Sequence, residues 1–505
     1  MEENIKKTEI SGSNRIINDR IKKIEILRSK GVDPYPSGFR RENIISEAKN
    51  TYTKLEDESS SINVETENFV LSGRVMSLRI MGKATFFDIQ DKSGKIQCFG
   101  RENNLGEKYE IFQYLDIGDI VGVTGPIGRT RRGEISVQLK DLILLTKSIR
   151  PLPDKWSGLK DIEMRYRQRY LDLISNQKAY SNAIIRPEII KSIREFMSKR
   201  GFIEVETPIL VPVAAGAQAR PFQTFHNSLD RNLYLRIATE LYLKKLIVGG
   251  IEKVFEIGRL FRNEGIDHYH NPEFTTMESY ESFVGYNEVM EMVEELVSYV
   301  AKQITGSYIL PEIEGVRPEI NLTPPWPRLN LREILIKNTG TDFFENRDLN
   351  FIKSKMVDMN IHVEPKASWA RLLDKVISEK IEGSLIQPSF LIDYPVEMSP
   401  LAKRKKGEDG IVERFEAFVL GSELANAFTE LNDPIDQRKR FEDQEKNRIE
   451  FGDDEADRLD EDFLISIEHG MPPTGGLGIG IDRLVMLICG EESIREVLLF
   501  PQLRN

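Results

Sequence analysis

The sequence predicts an α+β chain: a small β-barrel followed by a larger region in which helices and strands mix. Three observations predict it. Apolar residues recur with period two between Phe69 and Leu145, the spacing of half-buried strands. From Ser181 onward, helical and strand spacings alternate without an internal repeat. The length of 505 residues exceeds one domain, since roughly 100–200 residues make one.

Taken in order, Asn14–Lys30 places Ile17, Ile21, Ile24 and Leu27 at helical spacing, closed by Gly31 and Pro34. Its polar face carries Arg20, Lys22, Lys23 and Arg28, which suits either solvent or an RNA backbone. Residues 49–67 are polar and read as an exposed linker, so residues 1–66 form a helical extension and linker. Five strands are expected at Phe69–Ile80, Ala84–Gln90, Lys95–Gly100, Ile120–Thr124 and Glu134–Leu144. Short strands with Gly-rich turns suggest a Greek-key barrel of the oligonucleotide-binding (OB) type over 67–148. Residues 149–175 read as a connector, with Pro151 and Pro153 stopping the last strand. The larger domain then runs over 176–505. It opens with a helix at Arg186–Arg200, with Pro187 in its first turn, followed by the strand IEVETPIL. A long helix is expected at Tyr286–Ile304, and residues 305–395 read as an insertion.

Composition narrows the function classes. An apolar fraction of 40% supports sizeable cores, and a charged fraction of 30% suits a soluble surface. Two cysteines, Cys98 and Cys489, make neither a disulfide framework nor a zinc site, and fit a reducing cytoplasm. No apolar run reaches a membrane span, and the N-terminus lacks the apolar stretch of a secretory signal. The net charge of −11 means that any RNA surface must be a local basic patch.

The densest motif is VFEIGRLFRNEGIDHYHNPEFTTMESY, Val254 to Tyr280. It resembles the second signature of class II aminoacyl-tRNA synthetases. Its chemistry suits ATP. Arg262 can fork onto an α-phosphate and a substrate carboxylate together. Glu264 can accept from an adenine amino group, and Phe274 offers a face for stacking. GGLGIGIDR, Gly475 to Arg483, resembles the third signature, where Arg483 would cover adenine's other face and reach the outer phosphates. The 186–212 segment ending in VETP resembles the first, an element of the family's dimer interface. The resemblance implies a catalytic domain built on an antiparallel β-sheet flanked by helices. It makes Arg262 and Arg483 catalytic and adds His270 and Asn271 to the ATP site.

AGAQARPF (215–222), YLRIATELYLKK (234–245) and RFEAFVLGSELANAFTELND (414–433) resemble the lysine enzymes, bacterial subclass IIb. Lysine carries two ammonium groups, and a pocket must answer each with a carboxylate. The resemblance puts Glu240 and the Gly216 backbone at the α-ammonium, and Glu430 with Tyr280 and Glu278 at the ε-ammonium. Arg262 and Asn426 would hold the carboxylate. Asn426, Phe428 and Glu430 alternate, so one strand face presents all three. Glu416 and Glu423, seven residues apart, need a turn or bulge at Gly421 to meet. The resemblance makes them magnesium ligands. In the barrel it makes RIMGKATFFDIQD an anticodon-binding face, with Phe86 stacking a base and Arg79, Gln97 and Glu134 reading edges. The alternation alone would leave Phe86 in the core.

The sequence departs from the family pattern at Tyr269, where arginine is usual near the outer phosphates. His268 or Arg483 could compensate. Ala215, Phe225, Ala417 and Ser422 also differ. The implied reaction is lysine activation by ATP to lysyl-adenylate and transfer to tRNA(Lys), by a homodimer using Mg2+. An aspartate or asparagine synthetase is disfavoured by the carboxylates Glu240, Glu278 and Glu430. A protein-modifying lysine ligase is disfavoured by the barrel. A non-catalytic RNA-binding paralogue is disfavoured by the retained arginines.

Overall fold

A computed structural model describes residues 2–59, 66–153, 159, 161–217, 219–451 and 459–504. Parts of the expected linkers (60–65, 154–158 and 160) and Gln218 of AGAQARPF lie outside the described residues. The chain divides into two compact units, Met1–Leu159 and Lys160–Asn505.

The first unit opens with helix α1, Glu2–Ser29, which ends at Gly31 with a φ of 74°. Over residues 14–29 its buried face is Arg20, Ile24 and Leu27, whereas Ile21 is exposed. The expected basic face is therefore divided. Arg20 donates to the carbonyls of Ile117, Ser148 and Arg150, and Lys23 pairs with Asp116. Loop carbonyls shielded from water need donors, and these two residues supply them. Lys22 and Arg28 stay exposed. The polar segment from Lys49 is not a linker over its first part. Helix α2, Ile45–Ser59, buries Ile45, Ala48 and Tyr52 against the barrel. Three well-spaced apolar residues suffice for a helical stripe that a composition count overlooks.

The barrel strands are β1 (Phe69–Met81), β2 (Ala84–Asp91), β3 (Gly94–Arg101), β4 (Ile120–Gly125), β5 (Ile127–Arg129), β6 (Ile135–Gln138) and β7 (Asp141–Thr146), in the order β5-β6-β3-β2-β1-β4-β7. The long β1 pairs with β4 through its first half and with β2 through its second. The expected fifth strand is split, and β5 is added. The break falls at Leu139–Lys140, where Leu139 N donates to Phe99 O and Lys140 N to Thr124 O. Consecutive amides thus bond to β3 and to β4, the strands that flank the β2–β1 pair, and the chain closes the barrel there. Leu71, Val75, Phe87, Ile89, Ile96, Cys98, Val121 and Val123 fill the inside.

The second unit is built on an eight-stranded sheet. Its strands are β8 (Ile203–Glu204), β9 (Lys253–Phe261), β10 (Glu273–Ser282), β11 (Arg328–Asn330), β12 (Ser389–Pro395), β13 (Ile411–Val419), β14 (Ser422–Thr429) and β15 (Thr474–Gly480). They run in the order β11-β12-β13-β14-β15-β10-β9-β8. All pairs are antiparallel except the two outermost. The IEVETPIL stretch is two short strands, since Leu210–Val211 joins a separate three-stranded sheet with Gln223–His226 and Arg231–Leu235.

One face of the large sheet packs against helices α3 (Gln177–Lys199), α5 (Tyr286–Thr305) and α6 (Ile481–Cys489); α4 (Glu240–Val248) lies beside β10. Helix α3 begins nine residues before the expected start. Asn176 caps it by accepting from Lys178 N and Ala179 N, so Pro187 sits inside the helix and not in its first turn. An interior proline costs about 3 kcal/mol, which burial of Ile189, Ile193 and Met197 in the core offsets. The stretch 305–395 contributes β11 and β12, and its three helices (Leu331–Thr339, Leu349–Asp358, Trp369–Lys380) close a second apolar core with Leu391, Val412 and Phe418. No described helix is long and apolar enough to cross a membrane.

Candidate active site

The free face of the large sheet floors a cavity of about 520 Å³. Its shape follows from period two. In β15, Leu477 and Ile479 point into the core, while Gly476, Gly478 and Gly480 lie on the cavity side. Opposite them in β10 stand Tyr280, Glu278 and Thr276, and in β14 Phe428 faces Gly476 and Asn426 faces Gly478. Three glycines in alternation leave the middle of the sheet bare, and the side chains of neighbouring strands form the walls.

The hairpin β13–β14 brings Glu416 and Glu423 to this cavity. Leu420 and Gly421, with φ of 57° and 68°, form the two-residue turn. It pairs Val419 with Ser422 and Phe418 with Glu423, so Glu423 and Glu416 share a face. A bulge follows, with Ala417 opposite Ala425 and Leu424 added. Leu424 and Ala425 both turn into the core, so Glu423 and Asn426, three apart, share the cavity side.

Every residue expected to bind lysine, ATP or metal lines this one cavity. At one end, Glu240 opens α4, and Glu278 accepts from Thr239 N at 3.1 Å. Burial, reinforced by Glu240, pushes the Glu278 carboxyl up to about 7. Burial also drives Glu430 well up, and Lys244 pulls it back. Gly216 has a φ of 93°, and a Cβ there would lie 3.3 Å from that of Ala238. At the other end, the Arg262 guanidinium lies 5.1 Å from the Phe274 ring centroid. Its Nε has no partner among the described residues, and burial lowers its pKa against the pull of Glu264, Glu423 and Glu278. Arg483 donates to the Glu423 carbonyl at 2.6 Å and to its carboxylate at 3.1 Å.

The motif loop carries Tyr269, His270 and Asn271 into the cavity wall. Asp267 shapes it, accepting from the amides of Tyr269 and His270 and contacting the His270 ring at 2.8 Å. Asn271 is committed to the backbone, donating to Glu273 O and accepting from Gln502 N. His268 does not line the cavity. It borders a separate cleft with Asp161 and Arg495, and its carbonyl accepts from Ile494 N. That removes it as a substitute for a cation at position 269, and Arg483 remains.

Residues missed in the sequence surround these. Arg414 bridges Asn426 and Glu416, and Tyr394 donates to Glu416 at 2.8 Å. Burial, opposed by Arg414 and reinforced by Glu423, raises Glu416 to about 7. Glu382 is likewise pushed up to about 7, by burial and by Asp374 and Glu423. Asp374 and Glu382 lie in the 305–395 stretch, outside the motif that carries Glu416 and Glu423, so no motif linked them. Arg414 stands inside RFEAF and carried a signal in its own place. Among the described residues no group of three or more His, Cys, Asp or Glu forms a metal cage. Glu416 and Glu423 nevertheless fit magnesium, which takes one or two carboxylates and completes its shell with phosphate and water. Crowded, buried carboxylates are what such a cation relieves.

On the barrel's outer face Arg79 pairs with Phe86, and Phe86 with Phe99. Phe87, not Phe86, belongs to the core. The Phe86 and Phe99 rings stack at 4.5 Å, and Arg101 covers Phe99 at 4.8 Å. Gln97 lies on the same face opposite Asp88, and Glu134 is exposed in the β5–β6 turn. Phe99, an alternate position of β3, joins this face beyond the residues that the sequence singles out.

Residues 161–504 match the family model "tRNA synthetases class II (D, K and N)", and residues 69–145 match "OB-fold nucleic acid binding domain". The chain is 50% identical over 493 residues to the lysine–tRNA ligase of Thermoanaerobacter pseudethanolicus, covering 97% of this chain and 96% of the relative. Against that of Moorella thermoacetica it is 48% identical over 496 residues, covering 98% and 99%. Against that of Dehalococcoides mccartyi strain 195 it is 48% identical over 487 residues, covering 96% and 97%.

Proposed function

The chain belongs to the class II lysine–tRNA ligases, and from that premise we propose how its residues divide the reaction. It is an ATP-dependent aminoacyl-tRNA ligase of protein synthesis. The observation that carries the residue assignment is one cavity lined both by the carboxylates Glu240, Glu278 and Glu430 and by the arginines Arg262, Arg414 and Arg483.

Lysine lies along the sheet. Glu240 and the Gly216 backbone receive its α-ammonium, and Glu430, Glu278 and Tyr280 its ε-ammonium, with Phe428 along the methylenes. Asn426 and Arg262 orient its carboxylate. ATP stacks on Phe274, with Glu264, His270 and Asn271 around it and Arg483 above. In the first step a carboxylate oxygen attacks the α-phosphorus, the bond to the bridging oxygen breaks, and pyrophosphate leaves. Arg262 and Arg483 stabilise the charge that builds on the phosphates. Magnesium held by Glu416 and Glu423 would supply further neutralisation of the outgoing phosphates. In the second step the terminal ribose hydroxyl of tRNA(Lys) attacks the lysyl carbonyl and AMP leaves. Positioning dominates, since no enzyme nucleophile is required.

The barrel, 67–148, reads the anticodon with Phe86, Arg79, Gln97 and Glu134, and Phe99 extends the stacking surface. The catalytic domain is 176–505. Exposed Leu210, Phe225 and Leu229 support pairing of two copies through the small sheet, and a role in translation supports a cytoplasmic location. ATP–pyrophosphate exchange with lysine, aspartate, asparagine or ornithine supplied singly tests the assignment. Exchange with lysine is expected. Exchange driven by aspartate would overturn the acidic pocket.

A further inference from the structure

Behind the cavity wall, α4 carries a second charged residue that the mechanism has not used. Lys244 follows Glu240 by one turn, and its side chain is fully buried. Its ammonium contacts the Glu240 and Glu430 carboxylates together. Three rings cage it, with centroids at 5.5 Å (Phe428), 5.9 Å (Phe463) and 6.0 Å (Tyr280). Lys244 is not among the cavity-lining residues, while both its partners are. It is therefore walled in and cannot trade places with a substrate.

We infer that Lys244 is a positioning residue for lysine recognition, a built-in ammonium that ties Glu240 to Glu430, offsets part of their charge and holds them aimed at the two ends of the substrate. This rests on the assignment of those two acids to lysine. Three buried carboxylates in one site would repel one another and take up protons. The charged and titratable groups facing Glu430 are Lys244, Glu240, Glu278 and the Tyr280 phenol, and Lys244 is the one cation among them. With it, three carboxylates and one ammonium carry, when all are ionised, a net charge of minus two. A substrate with two ammonium groups neutralises that charge, its carboxylate being met by Arg262. An amino acid with an apolar side chain would leave a buried charge unpaired, which is strongly unfavourable.

The geometry goes beyond an ordinary structural ion pair. Lys244 joins acids from two separate elements, one opening α4 and one following β14. Glu430 Oε1 has no hydrogen-bond donor among the described residues and lies against Gly476, so Lys244 holds the carboxylate from the other side.

The test is Lys244→Met, close in shape and uncharged, in ATP–pyrophosphate exchange from pH 6.5 to 9. The expected result at neutral pH is a KM for lysine raised about tenfold or more, as for loss of a charge-assisted contact, with the KM for ATP changed less than about twofold. The deficit relative to wild type should narrow as pH rises and Glu430 loses its proton. A merely structural lysine would lower thermal stability or kcat and leave the lysine KM and its pH profile unchanged, and that result overturns the inference. Glu430→Gln separates the two levels. If it leaves the lysine KM unchanged, the site assignment itself fails; if it raises the KM while Lys244→Met does not, only this inference fails. Should Lys244→Met not fold, the double variant Lys244→Met with Glu430→Gln removes both charges together. Its lysine KM should exceed that of Glu430→Gln alone by no more than about threefold, because only the part of Lys244's action that runs through Glu240 remains; a further tenfold loss overturns the inference.

Discussion

Gly476→Ala is a one-methyl change that should read out on lysine and not on ATP. A Cβ at position 476 would overlap the Glu430 carboxylate oxygen and lie 2.6 Å from Tyr280 Cε1. Glu430 cannot withdraw, since it is fully buried and its ammonium partner Lys244 is buried behind it. Overpacking of this kind costs about 1–3 kcal/mol. The backbone at 476 is not in the left-handed region, so alanine recovers about 0.5–1 kcal/mol of chain entropy. The net stability loss should be about 0–2.5 kcal/mol by those two figures. The larger effect is functional. Displacing Glu430 forfeits a charge-assisted bond to the ε-ammonium, worth about 1.5–3 kcal/mol, which converts to a rise of about 10- to 150-fold in the KM for lysine. ATP–pyrophosphate exchange under separately varied lysine and ATP measures it, with urea unfolding for the stability term. An unchanged lysine KM in a folded variant would refute the placement of Glu430 against Gly476.

Three further outcomes are expected. Glu278 must be ionised to meet an ammonium, and burial with Glu240 facing it sets its pKa at about 7; as pH falls from 8 to 6 it gains its proton, so the lysine KM should rise about tenfold, and a flat profile would count against its role. Glu416→Gln should raise the magnesium concentration needed for half-maximal exchange by about tenfold while calorimetric lysine binding changes little, since Glu416 stands at the arginine end of the cavity; an unaltered magnesium requirement would remove it from the metal site. Phe86→Ala should raise the KM for tRNA in charging, because one base stack is worth about 1–3 kcal/mol; an equal loss in tRNA-free exchange would signal misfolding of the barrel variant.

The residues of the site were legible because their chemistry is local. Arg262, Glu264 and Phe274 stand together in one motif, and the alternation of Asn426, Phe428 and Glu430 already implies a shared strand face. Glu416 and Glu423 required a turn, and Leu420–Gly421 provides it. Period two likewise marked the barrel, and its closure could not be seen because it depends on where Leu139 and Lys140 send their amides. The polar composition of 49–67 hid helix α2, since Tyr52 finds its burial only against the barrel.

What the sequence determined by itself was the family, the signature motifs and most of the charged groups that line the cavity, all written in short-range order. What only the tertiary structure decided was the company those groups keep. Lys244 reads as one more charge on a helix until Glu430, nearly two hundred positions away in the chain by rough count, is folded onto it. His268 reads as a candidate cation until the loop turns it out of the cavity. Gly476 reads as one of a glycine run until a carboxylate occupies the space its missing side chain leaves. Long-range electrostatics and close packing depend on distances between remote segments, and spacing along a chain does not encode them.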